Sequence, residues 1–486
     1  MSHIHDVRLN ESSRQNLLSI LYYALLGYTL VLLLPVGYQC TQPHLDASWG
    51  YAFNYFLHSR FHFGPDLVFT YGPLGFLDNP QHVDHDIAIA QVVRTVFWLA
   101  LGCQLAAIWR AGNRLAACMF CVSLSLGHRM YHDYWDYLLL ALTLLTIVKL
   151  FRAAPSLLDL CLLPVLMGVC FLLKFTAFSM ALFMLGAYAV HRLLYRSFSR
   201  HLVMWFTVCM LSGPIAYLLY DHSLSHLADY VQGMAKISAG FATAMSLDAS
   251  QTDLIFATLL CFLLMLQIAI ASWRKHLFFA EALLILIVSW AVFRHGFVRG
   301  DHTALFFGFS ILIFACLFMG SQGRWSQIVP CLSFLAFNLI ALNGFAVRYP
   351  VLTTSNWWPQ ESFNDLRLLF HREALAASLD HCADAAFAAL PGMPFRDSIQ
   401  GKRVMIFPNS NPYVAKIAFE MFPIYSLQDY CAYTGYLDRK GARNLTLASP
   451  PVDKVMIEWM AIDGRNMMLD SPAMSMAFLT TFTPES

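Results

Sequence analysis

Eleven stretches of this chain carry almost no group that water would hold, and they constrain its fold more than any other feature. They fall near 17–36, 87–109, 115–128, 135–151, 157–173, 175–193, 202–220, 252–271, 277–293, 303–320 and 327–345. A helix crossing the hydrocarbon core of a bilayer needs about 20 mostly apolar residues. It must also satisfy its backbone groups within the segment, because lipid offers no partners. The runs 115–128 and 135–151 are short and read as tilted, broken or re-entrant. Charge agrees with burial in lipid: Asp, Glu, Lys and Arg make up 13% of the 486 residues, about half the share of a soluble domain. The expected fold is mainly α, a polytopic membrane helix bundle of about eleven spans. A formal net charge of +1 excludes a nucleic-acid binder, which needs a strongly basic face. The first run is longer than the apolar core of a secretory signal, and no small-residue cleavage pattern follows it, so it reads as a retained helix.

The charges between the runs set an orientation. Arg8, Arg14, Arg110, Arg114, Lys149, Arg152, Arg192, Arg196, Arg200, Arg274, Lys275 and Arg324 fall on one side. Asp46, Asp66, Asp78, Asp84, Asp86, Asp133, Asp136 and Asp301 fall on the other. Positive charge stays inside, which makes the N-terminus cytoplasmic and the C-terminal part extracytoplasmic. Trp109, Trp135, Trp273 and Trp325 stand at span ends, as an interfacial belt requires. Two outer loops follow, 37–86 and 221–251. The expected organisation is a membrane domain over 1–347 and an outer α/β domain over 348–486. In the latter, Val404-Met-Ile-Phe407 and Lys454-Val-Met-Ile-Glu-Trp459 read as buried strands, and 364–390 has helical periodicity. Nine of the twelve cysteines lie in or beside apolar runs, where cysteine packs as a small hydrophobe. Cys118 and Cys121 are among them, and their spacing there carries no zinc or redox context. Cys40, Cys382 and Cys431 lie outside. Cys382 and Cys431 share the outer domain and are either a disulfide or separate buried thiols.

Ionisable groups at span ends are functional candidates by default, and four sets gather on the outer side. In His44-Leu-Asp-Ala-Ser-Trp49, Asp46 comes at or just before the start of a helix whose Trp49, Phe53, Phe56 and Leu57 make one apolar stripe, suited to the membrane interface. Backbone donors and the helix dipole favour a carboxylate there, as a cap or as a working base. The stretch from Phe63 to Phe76 has two Gly-Pro pairs and turns at defined points, either as a wall over a site or as packing. His128-Arg-Met-Tyr-His-Asp-Tyr-Trp-Asp136 brings Asp133 and Asp136 onto one helical face beside two histidines, a generic spacing that admits a divalent metal or a hydrated loop. Arg294-His-Gly-Phe-Val-Arg-Gly-Asp-His302 offers Arg294, His295, Arg299 and His302 to a phosphate, with Lys174 a further cation on the same side. Such cations also occur as snorkelling side chains at helix ends. A carboxylate base with converging cations suits transfer of a group from a phosphate-linked lipid.

These segments carry a family resemblance. Asp46-Ala-Ser-Trp49 through Phe69-Thr-Tyr-Gly-Pro-Leu-Gly-Phe76, Leu173-Lys-Phe-Thr176, His295-Gly-Phe-Val-Arg-Gly-Asp301, Gln428-Asp-Tyr-Cys-Ala-Tyr-Thr434 and Ile462-Asp-Gly-Arg465 resemble a bacterial branch of the GT-C superfamily of membrane glycosyltransferases. The resemblance implies an inner-membrane enzyme that uses a polyprenyl-phosphate-linked sugar, transfers it to an envelope glycan or lipid, and inverts the anomeric carbon. It places the general base on Asp46. No acidic residue adjoins Asp46, so a second carboxylate falls to Asp301, Asp133 or Asp136. Lys174, His295, Arg299 and His302 become the phosphate ligands, and metal use stays open. Two other classes of function compete. A carrier would show internal repeats and midplane charges, and neither is present in the sequence. A non-catalytic scaffold of envelope assembly would keep the fold without the reaction.

Overall fold

The computed structural model describes residues 11–127, 135–195, 199–274, 277–319, 325–348, 360–388, 395–459, 462 and 466–484. The chain is mainly α. Each of the eleven apolar runs forms a helix: α1 (Glu11–Leu32), α3 (Asp86–Arg110), α4 (Arg114–Leu126), α5 (Trp135–Arg152), α6 (Leu157–Leu173), α7 (Phe175–Tyr195), α8 (Arg200–Asp221), α10 (Gln251–Trp273), α11 (Phe279–Val298), α12 (Thr303–Cys316) and α13 (Trp325–Arg348). Between them lie α2 (Leu45–Leu57) and α9 (Leu227–Ala244). Several helices start on a serine, whose hydroxyl accepts an otherwise orphaned backbone N–H. Ser199 caps α8, Ser250 caps α10, and Ser156 with Asp159 forms a reciprocal box at α6.

Among the described residues, seven helices are long and apolar enough to cross a membrane. The other four are α4, α5, α6 and α12, and two of these are set apart by position. Helices α5 and α12 are buried on every side, from Trp135 to Phe151 and from Leu305 to Cys316 with few breaks. A helix apolar all round belongs in a core, and these two form the centre of the bundle. The outer helices instead expose large apolar side chains: Leu219 is 73% exposed, Phe262 64% and Val329 67%. Apolar surface on that scale needs lipid against it.

Ion pairs mark both ends of the bundle. At the C-terminal end of α5, Lys149 Nζ meets Asp159 at 2.8 Å and Arg152 meets Glu281 at 2.7 Å. At its N-terminal end stands Asp136, described below.

The segment after α13 holds α14 (Gln360–Leu369), α15 (Arg372–Ala388), α16 (Gly435–Thr446), α17 (Pro472–Thr481) and a three-stranded parallel sheet. Its strands β1 (Arg403–Phe407), β2 (Glu420–Phe422) and β3 (Lys454–Ile457) lie in the order β2-β1-β3. Val404 is in register with Met421 and Lys454. The two strands read from sequence are β1 and β3. The three-residue β2 was too short to mark itself.

Three expectations change. Cys382 bonds to Cys40, not Cys431, which is a buried thiol outside any disulfide and 3.2 Å from Tyr433 Oη. Residues 221–251 are not a plain loop, since α9 occupies most of them. Helix α2 does not lay its stripe on lipid: Tyr51, Ala52, Phe53 and Phe56 are buried by protein. The sheet-bearing segment covers it. Gln428 Nε2 donates to Ser48 Oγ at 2.8 Å, Met421 N–H to Tyr55 Oη at 3.2 Å, and Val68 N–H to the Tyr425 carbonyl at 2.5 Å. Thus the first loop is a wedge between the bundle and the C-terminal segment.

Candidate active site

Four helix ends and one loop converge at the N-terminal end of α5. Lys174 ends α6, where its extended backbone breaks the helix before α7. Its side chain is nearly buried and its Nζ lies 2.9 Å from Asp136 Oδ2 on α5. It also donates to Tyr71 Oη at 3.3 Å and sits 4.5 Å from the centre of that ring. The Tyr71 position depends on Gly72, whose N–H donates to the Leu173 carbonyl at 2.8 Å. A Cβ on Gly72 would fall 2.3 Å from both the Leu172 carbonyl oxygen and the Tyr230 hydroxyl, so only glycine admits this approach.

Asp78 completes the buried polar centre. It closes the turn after Pro73–Leu77, and its Oδ1 accepts the backbone N–H of Trp135. Burial, with a further push from the Asp136 charge, raises its pKa to about 7, against the pull of Lys174, the Tyr71 hydroxyl and Arg94. Arg94 locks the same turn from below: Nε donates to the Leu77 carbonyl at 2.5 Å and Nη2 to that of Asp78 at 3.0 Å.

The second wall comes from α11 and α12. Tyr137 stands between Lys174 and His295, 5.8 Å from each. The His295 and His302 rings stack 6.1 Å apart. Arg299 Nε pairs with Asp301 Oδ1 at 3.2 Å and Nη2 with Oδ2 at 3.3 Å. A roof is supplied by Phe241 of α9, which stacks on His295 at 6.2 Å and touches Tyr433 of the C-terminal segment at 6.0 Å. Among the described residues, Asp136 Oδ1 and His302 Nδ1 are buried without a hydrogen-bond partner. Buried polar atoms are almost always paired, so both are open to a further hydrogen bond in the centre, as are buried atoms elsewhere in the molecule such as Asp86 Oδ2 and Gln428 Oε1.

The structure therefore gathers Lys174, Asp136, His295, Arg299, Asp301 and His302 into one place. It adds qualifications. Lys174 and Arg299 are already ion-paired, so an arriving anion competes with Asp136 and Asp301. Arg294 is exposed and lies over Trp290 at 5.6 Å, away from the cluster. Asp46 is the second residue of α2, and the helix is capped by His44, whose Nδ1 accepts the Ala47 N–H at 3.3 Å. The side chain of Asp46 lies outside the described residues, as do His128, His132, Asp133 and 463–465. The backbone still places Asp46 on the same helix face as Trp49, three residues on. Trp49 stacks on Tyr71 at 5.6 Å, which puts the first turn of α2 beside the Lys174 centre.

Sequence reading passed over Asp78, Tyr71, Tyr137 and Tyr433 as site members. The Gly-Pro turns on either side of Phe69-Thr-Tyr71 were the available signal for the first two. A separate cleft of about 500 Å³ is lined by Arg60, Asp66, Arg403, Lys440, Arg443 and Asn444, among others. It lies apart from the Lys174 centre. Three of its cations are committed, Arg60 and Arg403 to Glu420 at 2.7 and 3.6 Å and Lys440 to Asp229 at 3.7 Å, so it is a mixed-charge cleft.

Comparison with protein-family models, with curated proteins and with solved structures found no match to this chain.

Proposed function

We propose that this chain is a membrane glycosyltransferase of the GT-C kind, taking a sugar from a polyprenyl-phosphate-linked donor and passing it to an envelope glycan or lipid. The observation that carries the reading is the convergence of Lys174, Arg299, His295 and His302 on buried carboxylates at one end of the bundle, with Asp136 Oδ1 and His302 Nδ1 left open. In the proposed reaction an acceptor hydroxyl attacks the anomeric carbon. The bond from that carbon to the phosphate oxygen breaks, and polyprenyl phosphate leaves as an anion. Asp46 takes the hydroxyl proton, while Lys174 and Arg299 offset the charge that develops on the leaving phosphate. Attack opposite the leaving group inverts the sugar. Tyr71, Tyr137 and Phe241 provide aromatic surface of the kind a sugar ring packs against.

We place the chain in a bacterial inner membrane with its N-terminus cytoplasmic. Two features support that orientation. A Cys40–Cys382 disulfide belongs to an oxidising compartment. The first loop touches the sheet-bearing segment, so both lie on one side, and the crossings between them are even in number. Ten of the eleven apolar helices stand between them.

The test follows release of polyprenyl phosphate from a mixed pool of lipid-linked sugars, with envelope acceptors present. Purified wild type is compared with Asp46→Asn, matched by thermal melting. Release by wild type and its loss in the variant is the expected result. Equal release by both removes Asp46 from the mechanism; no release by either defeats the transferase reading and favours a scaffold or carrier.

A further inference from the structure

Away from the Lys174 centre, three side chains from remote parts of the chain meet. His62 belongs to the first loop, Asp221 is the last residue of α8, and His226 immediately precedes α9. His62 Nδ1 lies 2.6 Å from Asp221 Oδ1, and His226 Nδ1 lies 3.1 Å from Asp221 Oδ2. All three ligating atoms are within 4.8 Å of one another. We propose that His62, Asp221 and His226 form a binding site for a divalent transition metal of the zinc class, which clasps the first loop to the α8–α9 turn.

Charge is the first argument. The Asp221 side chain is wholly buried, and among the described residues no lysine or arginine pairs with it. A buried carboxylate with no lysine or arginine beside it is costly unless a cation answers it, and a metal ion is such a cation. Asp66 adds a second carboxylate nearby, its Oδ2 accepting the backbone N–H of His62 at 2.9 Å.

Geometry is the second. Zinc binds imidazole nitrogen at about 2.0–2.1 Å and carboxylate oxygen at about 2.0–2.2 Å. Tetrahedral ligands then stand about 3.3 Å apart, and His62 and His226 face the two oxygens of Asp221 at 2.6 and 3.1 Å, so modest side-chain shifts admit an ion among the three. Two imidazoles and a carboxylate form a donor set that suits zinc over magnesium or calcium. The His62 and His226 side chains are 44% and 34% exposed, which gives an ion a way in and leaves a fourth position for water.

The turn itself is built for the set. His222 follows α8 with a left-handed φ of 56°, a conformation that reverses the chain at once. That reversal brings Asp221 and His226, five residues apart, onto the same point. The clasp reinforces hydrogen bonds already made there, such as Tyr217 Oη to the Phe63 carbonyl at 2.9 Å. It would steady the loop that goes on to carry Tyr71.

A plain hydrogen-bonded triad explains the same distances without metal, and experiment separates the two. The full chain is purified in detergent on a tag free of histidine, stripped with chelator and dialysed. Zn²⁺ is titrated calorimetrically, and Co²⁺ is added separately as a spectroscopic probe. The proposal expects one ion per chain, visible Co²⁺ ligand-field absorption, and a higher melting temperature with Zn²⁺. His62→Gln and His226→Gln should each weaken binding by about tenfold or more, and Asp221→Asn should abolish it. The two histidine variants keep the test decisive if Asp221→Asn does not fold, because both side chains are partly exposed. No stoichiometric binding by wild type, or unchanged binding by His226→Gln, overturns the proposal.

Discussion

Replacing Lys174 with methionine keeps the length of the side chain and removes its charge, leaving Asp136 buried without its cation. At 2.9 Å and an effective dielectric constant of about 20, the lost attraction is about 6 kcal/mol. Measured losses on breaking a buried pair are smaller, about 3–5 kcal/mol. The expected loss is therefore about 3–5 kcal/mol. For a chain of this size that lowers the melting temperature by on the order of 5 °C. Melting in detergent reads it directly. Adding Asp136→Asn to Lys174→Met should restore at least half the loss, because the uncompensated charge is gone. A single variant that melts within 1 °C (about the resolution such a shift demands) of wild type would refute the reasoning. So would a double variant no better than the single.

Other outcomes follow from the same structure. Asp78 holds its proton to a higher pH in the folded chain than an ordinary aspartate does. Its contribution to stability is thus complete below about pH 4 and withdrawn as pH climbs to about 7; Asp78→Asn should lose less melting temperature than wild type across that window, and equal losses would dismiss the assignment. Peptide mapping without reductant should recover Cys40 linked to Cys382 with Cys431 outside any disulfide, and Cys40→Ser should lower stability by about 2–5 kcal/mol; a Cys382–Cys431 peptide would contradict this. Gly72→Ala should cost at least about 1–3 kcal/mol through overpacking against the Leu172 carbonyl and Tyr230, and a variant melting like wild type would show that the loop yields there.

All eleven apolar helices were legible because lipid-facing and core-facing residues leave a signal that needs no knowledge of tertiary contacts. What each helix packs against was not. Helix α12 looks like an ordinary span in sequence and α5 like a short one, tilted, broken or re-entrant, yet both are unbroken helices at the buried centre, and only neighbours distinguish a core helix from a lipid-facing one. The stripe of α2 had the right period, but periodicity cannot say whether lipid or protein covers an apolar face. Lys174, His295, Arg299, Asp301 and His302 were found because charge at a span end is rare and conspicuous. Tyr71 and Tyr137 were missed because tyrosine at such places is common. The sequence leaves Cys382 either paired with Cys431 or unpaired, and the structure pairs it with Cys40: Cys431 is closer in the chain, while Cys40 is closer in space.

The wedge-like position of the first loop has a consequence for how the protein is made. Phe61, Gly64 and Val68 are covered in part by residues 422–425, which the ribosome adds more than 350 residues later. At about 5–20 residues per second that interval is about 20–70 s. Throughout it the loop lacks that cover, while ten further apolar helices are still being made. Biogenesis therefore ends where it began. The last third of the chain must return to a surface synthesised first, and a product truncated after α13 would leave that surface open to proteases.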